Sequence, residues 1–241
     1  MVGTPNGADR LALVHAWIAE RAGDLGVPVT VRLLCDTAVS RLGVSGATVT
    51  MGITRGWPET RCSTDMLGER LAELQVTVGE GPAMDAWRTG GPVLVADLDA
   101  PDGQRRWPLF APLAVDAGAR GLFAFPLVVG AIQGGMLTFH RAGTGSLDPT
   151  ALLNALAFAR MALGLVLAEQ AGLRDADDAL PLHNPQLHQA TGMISAQLRV
   201  GVDEAFVRLR GHAFATQRPL AELAADVVAR RVSFAPDQEA T

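Results

Sequence analysis

Lysine and tyrosine are absent from this chain of 241 residues, so all 20 basic residues are arginines, and cysteine occurs only at Cys35 and Cys62. Two thiols in a chain of this length do not make a disulfide framework and fit a reducing compartment. Zinc chemistry lacks its ligands, because no Cys-x-x-Cys, His-x-Glu or His-Glu-x-x-His spacing occurs. His15 and His140 are isolated histidines, poor candidates for a haem or metal ligand. No catalytic constellation emerges, and no enzyme activity, metal or cofactor is expected. Charge is also sparse, at 19% charged residues and a net charge of −5, which argues against a general nucleic-acid or membrane-surface protein.

Unbroken hydrophobic runs are missing too. The stretch Gly121 to Leu137 is interrupted by Pro126, Gly130, Gln133 and two further glycines, and reads as a hairpin. Ala151 to Leu173 carries Asn154, Arg160, Glu169 and Gln170, each expensive in hydrocarbon, and reads as a soluble helix. The N-terminus has Asp9 and Glu20 around a modest helix rather than a charged start and an apolar core, so no signal peptide is expected. These features point to the cytoplasm and away from membranes.

What is present is apolar: 49% of residues are hydrophobic, enough for one medium domain and one small one. Leu11 to Ala22 and Val31 to Leu42 have helical spacing, and Gly43 is placed to end the second helix. Ala47 to Thr54 is a β-branched run, followed by a loop with Trp57-Pro58. Ser63 or Thr64 is expected to cap a helix over Met66 to Leu74, and Pro92 to Ala96 to form a buried strand. Gly121 to Val129 and Gly134 to His140 then pair through a turn at Gly130-Ala131. The order suggests an α+β sensor domain. Gly79-Glu80-Gly81-Pro82 either makes a tight turn or lets backbone approach an anionic ligand, and the turn suffices to explain the glycines.

The pieces Leu33-Leu34-Cys35 to Gly43, Ser63-Thr64-Asp65, Val78 to Pro82, Gly91-Pro92-Val93 and Phe123 to Gly135 resemble a GAF domain. More specifically they look like the form found ahead of ANTAR modules in actinobacterial regulators. The resemblance implies an antiparallel sheet with flanking helices that senses a small molecule, whose identity no residue pattern supplies. Cys35 and Cys62 form no recognisable redox motif.

Behind this domain, Asp148 can cap a helix with Pro149 at its first position. Leu152, Leu156, Ala159, Leu163, Val166, Gln170 and Leu173 then recur with a period of about 3.5 residues. Such a seam favours pairing with a second copy, while packing on the sensor sheet needs a similar stripe. The expected dimer contacts are Leu152, Leu156, Leu163 and Val166.

The last quarter reads as three short amphipathic helices. Leu187, Ala190, Ile194 and Leu198 line one face, Glu204 to Gln217 forms the middle helix, and Leu220, Leu223, Ala224, Val227 and Val228 line the third, with Pro219 at its first position. Helices this short must bury their stripes against each other. Six arginines face six acids between Pro185 and Thr241, so nucleic-acid binding would need a local arginine face. Phe206, Arg210 and Phe214 share one helical face, where the two rings either stack on unpaired bases or fill the core.

Ala190 and Gly192, Glu204-Ala205-Phe206, Leu209-Arg210 and Leu220 to Val228 together resemble an ANTAR domain. That resemblance implies binding of paired RNA hairpins in nascent transcripts and control of transcription termination. It singles out Arg210, with Arg208, Arg199, Arg218, Phe206, Thr191 and Gly192 as further candidates for the RNA surface. Thr191 stands where many members have lysine, Arg199 where a turn glycine is usual, and Gly201 where a Ser or Thr cap is usual.

The expected organisation is a tail over 1–9, a GAF-like sensor over 10–147, a connecting helix over 148–173, a linker over 174–185, an ANTAR-like module over 186–235 and a tail over 236–241. The whole reads as a homodimeric regulator with a small-molecule input and an RNA output. A DNA-binding or protein-binding three-helix output is the alternative.

Overall fold

The computed structural model describes residues 7–51, 59–129, 132–170 and 185–234. The Trp57-Pro58 loop, the Gly130-Ala131 turn, nearly all of the 174–185 linker and the 236–241 tail lie outside these residues.

Two helices open the chain, α1 (Gly7–Leu25) and α2 (Val31–Leu42). Local chemistry sets both ends of α2: Thr30 Oγ1 accepts the Leu33 amide at 3.1 Å, and Gly43, at φ 61°, takes the left-handed conformation that stops the helix. Strands β1 (Gly46–Met51) and β2 (Glu59–Ser63) follow, then α3 (Met66–Val78). The cap of α3 is Asp65, whose Oδ1 accepts the Gly68 amide at 2.7 Å, in place of the expected Ser63 or Thr64. Those two are already engaged. Ser63 pairs in β2 opposite Thr48, and Thr64 Oγ1 accepts the Ala47 amide.

Three short helices absent from the sequence reading come next, α4 (Pro82–Thr89), α5 (Pro101–Arg106) and α6 (Phe110–Asp116), with strand β3 (Val93–Val95) between the first two. Strands β4 (Gly121–Val129) and β5 (Ile132–Arg141) complete an antiparallel sheet ordered β2-β1-β5-β4-β3.

Alternation along the strands gives the sheet two different faces. Ala47, Val49, Phe123, Phe125, Leu127, Leu137 and Phe139 point to one side, where they pack with α1, α2 and the long helix α7 (Pro149–Gln170). Leu122, Ala124 and Met136 point to the other and meet α3, α4 and α6. Asp148 Oδ1 accepts the Ala151 amide at 2.9 Å and caps α7 as expected.

Helix α7 is apolar and long enough to cross a membrane, yet half of that stretch is buried in this fold. Its stripe serves the sensor core. Leu163 and Val166, expected in a dimer seam, are 3% and 2% exposed and pack in the sheet's apolar cluster, with Leu152 against it. Of the four expected contacts only Leu156 is exposed. The outward side of α7 instead carries Leu153, Leu156, Arg160, Gly164 and Leu167.

The C-terminal module consists of α8 (Pro185–Leu198), α9 (Val202–Ala215) and α10 (Leu220–Val228), which bury their apolar stripes in a third cluster. Pro219 is the cap of α10 and not its first residue.

Candidate functional site

The second sheet face holds the chemistry. Thr48 and Thr50 on β1 and Thr138 and His140 on β5 point to the same side; Thr48, Thr50 and His140 are buried and Thr138 is partly so. Together with α3, α4 and parts of α8 and α10 they line a cavity of about 380 Å³. A buried polar side chain costs free energy unless it finds a hydrogen-bond partner. Thr48 and Ser63 share one such bond at 3.0 Å. His140 Nε2 lies 3.2 Å from Asp65 Oδ2 but is not aligned for a hydrogen bond. Burial lowers the His140 pKa, and Asp65 only partly opposes it, so the imidazole is neutral and able to donate or accept.

Glycines make the room for this floor. A Cβ at Gly46 would fall on the His140 ring and the Asp65 carboxylate, and one at Gly68 would fall on Thr48 and Ser63. Gly79-Glu80-Gly81-Pro82 acts as a connector: Gly79 ends α3, Gly81 precedes α4, and the Glu80 carboxylate accepts the amides of Leu109 and Phe110 at 2.6 and 2.9 Å. Among the described residues no group of three or more His, Cys, Asp or Glu side chains is arranged to hold a metal. Cys35 and Cys62, far apart in sequence, are buried side by side. Their mutual hydrogen bond and burial push the Cys35 thiol well up, away from the reactive thiolate.

In the helical module the candidate RNA residues separate. Phe206 is 3% exposed and Thr191 fully buried, its hydroxyl bonded to Leu187 O at 2.7 Å, so neither reaches a ligand. The α9 stripe of Ala205, Leu209 and Ala213 turns Phe206 inward with it. The same geometry turns Phe214 outward, where it is 44% exposed near Val207 and Gly211 on one helical face. Arg208 pairs with Glu204 at 2.9 Å, and Arg218 with Asp226. Arg218 and then Arg231 hold the Asp226 carboxyl below its usual range. Gly192 and Arg199 are exposed, and Arg199 adopts φ 57°, the left-handed conformation that glycine would take there without strain. Gly201 caps α9 with no side-chain hydrogen bond.

Arg210 is the exception. Its guanidinium lies 5.7 Å from the Phe206 ring, and its Nε donates to Thr77 O of α3 at 3.1 Å. Burial lowers its pKa, and among the described residues no carboxylate pairs with it. The sequence carried a readable sign of the cavity, since Thr138 and His140 alternate with Leu137 and Phe139 on an otherwise apolar strand. It carried none of the contact between α3 and α9.

Comparison with known proteins places these features in families. A family model described as a GAF domain matches residues 24–159, and one described as an ANTAR domain matches residues 183–228. No curated protein matches. Among solved structures, the GAF domain of a phosphoenolpyruvate-protein phosphotransferase from Coxiella burnetii is 13% identical with a TM-score of 0.50, covering 70% of this chain and all of its own. The corresponding domain from Acinetobacter is 12% identical with a TM-score of 0.49, covering 71% of this chain and 100% of its own. The GAF-B domain of DevS from Mycobacterium smegmatis is 17% identical with a TM-score of 0.41, over 59% of this chain and 96% of its own.

Proposed function

The chain belongs to the GAF-domain family and carries an ANTAR domain behind the sensor, and from that premise we propose that it is a cytoplasmic antitermination regulator. The sensor binds a small polar molecule in the cavity floored by Thr48, Thr50, Thr138 and His140, and works by binding without turnover. The ANTAR helices bind hairpin RNA in nascent transcripts. The observation that carries this reading is the family match over residues 183–228 together with the outward Phe214. An exposed ring on a helix offers a stacking platform for a loop base, the usual currency of single-stranded RNA recognition. Phe214 takes over the stacking role considered for Phe206, and Arg210, Arg199 and Gly192 remain candidates for the RNA surface. Self-association through α7 uses the outward Leu153, Leu156 and Leu167 in place of the buried pair.

The test is a titration of the full chain against a two-hairpin RNA and against duplex DNA of equal length, at several salt concentrations. Preference for the hairpin RNA, with affinity falling as salt rises, is the expected result. Equal or tighter binding to duplex DNA, or no binding to either, would move the output to DNA or protein recognition.

A further inference from the structure

Three contacts fix the ANTAR helices to the second half of α3, and each uses a different physical effect. Val76 of α3 packs against the apolar cluster of the ANTAR module, so the sensor contributes to the core of its neighbour. One turn earlier, Glu73 Oε1 accepts the Ala221 amide at 3.4 Å. This sets a carboxylate at the start of α10, which has no side-chain cap of its own, where free amides and the helix dipole favour negative charge. At the end of α3, Arg210 donates to Thr77 O at 3.1 Å, and a Cβ at Gly79 would collide with its guanidinium. Positive charge at a helix C-terminus is the favourable counterpart of the Glu73 arrangement.

We propose that α3 is an autoinhibitory latch, holding the ANTAR module with Arg210 turned into the sensor so that hairpin RNA must displace α3 to reach it. The proposal rests on the RNA reading above. The latch adjoins the cavity: Leu187, Leu220 and Ala221 wall the same space that Thr138 and His140 floor. A molecule in that space therefore touches both halves, and one that fits the undocked arrangement better shifts the population toward it. Docking and RNA binding are then alternative uses of one arginine, and the apparent RNA affinity is scaled down by the docked fraction.

Two variants of the full chain test this with a fluorescent two-hairpin RNA. Val76→Asp places a charge in the docking contact and is expected to bind the RNA more tightly than wild type, within the roughly 5- to 150-fold range of coupled sites. In the second, Glu73→Cys and Ala221→Cys, made in a Cys35→Ser/Cys62→Ser background, are bridged by a reducible bismaleimide. The bridged protein is expected to lose RNA binding and to recover it on reduction. The bridge guards against Val76→Asp failing for want of folding. Bridged and reduced protein binding alike would overturn the latch and leave the RNA reading standing. Absence of binding by wild type, by Val76→Asp and by the reduced protein would overturn the RNA reading, and the latch with it.

Discussion

The sensor and the ANTAR module differ in how far each can stand alone. The sensor wraps a five-stranded sheet on both faces, with Phe123, Phe125, Phe139 and Phe158 fully or almost fully buried. The module has three helices of 14, 14 and 9 residues and a single cluster, in which Phe206 is the one buried phenylalanine among the described residues. Units of this size bury too little surface for a wide margin of stability. Val76 and Glu73 supply part of what is missing, and a module that leans on its neighbour is one the neighbour can control.

Equal damage to the two cores should expose that difference most strongly. Phe206→Ala and Phe139→Ala each remove a buried ring at a cost of about 3–5 kcal/mol. The first is expected to unfold α8 to α10 outright, while the second leaves a weakened but folded sensor. Hydrogen exchange read segment by segment checks this, and a Phe206→Ala protein with protected α9 amides would break the comparison.

Mild acid, in the histidine range, should act first on the sensor, before the Asp226 carboxylate of the ANTAR module takes up its proton. Burial depresses the His140 pKa, so the unfolded chain takes up the proton more readily than the folded one. The His140 contribution is complete above the unfolded value of about 6.5 and drains away as pH falls through it toward the folded value. Urea midpoints of the sensor transition are expected to fall across that interval, and His140→Gln to flatten the slope. A slope unchanged in His140→Gln would place the effect elsewhere.

The smallest effect on stability is expected on the outward face of α7. Leu156→Glu lies on the outward face and should change stability by about 0.5 kcal/mol or less, yet lower the mass seen by light scattering if two copies meet there. Leu163→Glu, in the core, should unfold the sensor. A mass unaffected by Leu156→Glu would remove α7 from the association surface.

Much of the fold was legible where a residue acts locally. Gly43 and Asp148 mark helix ends by a dihedral angle and a hydrogen bond of their own, so the end of α2 and the start of α7 follow from the chain, while the Thr30 cap went unread. Helices α4 to α6 are too short for periodicity to speak, and the cap of α3 was misplaced because strand pairing had already engaged Ser63 and Thr64. A stripe on α7 looks the same whether a sheet or a second copy covers it, which is why Leu163 and Val166 were read as a seam. The ANTAR helices showed their apolar faces, but the choice between Phe206 and Phe214 needed the direction of the core. Arg210 was marked by its position in the motif, while its partner, Thr77 O, lies 133 residues away along the chain. Periodicity carries no information about such a contact.

The most direct measurement concerns that arginine once it is free of α3. Arg210→Ala introduced into Val76→Asp is expected to weaken hairpin RNA binding by about 1–3 kcal/mol relative to Val76→Asp alone, with a shallower salt dependence if a phosphate is the partner. Melting temperature, taken on the same samples, should stay unchanged. Hairpin affinity equal to that of Val76→Asp would contradict a role for Arg210 in RNA binding, and a loss of affinity that merely follows a fall in melting temperature would make it a structural residue.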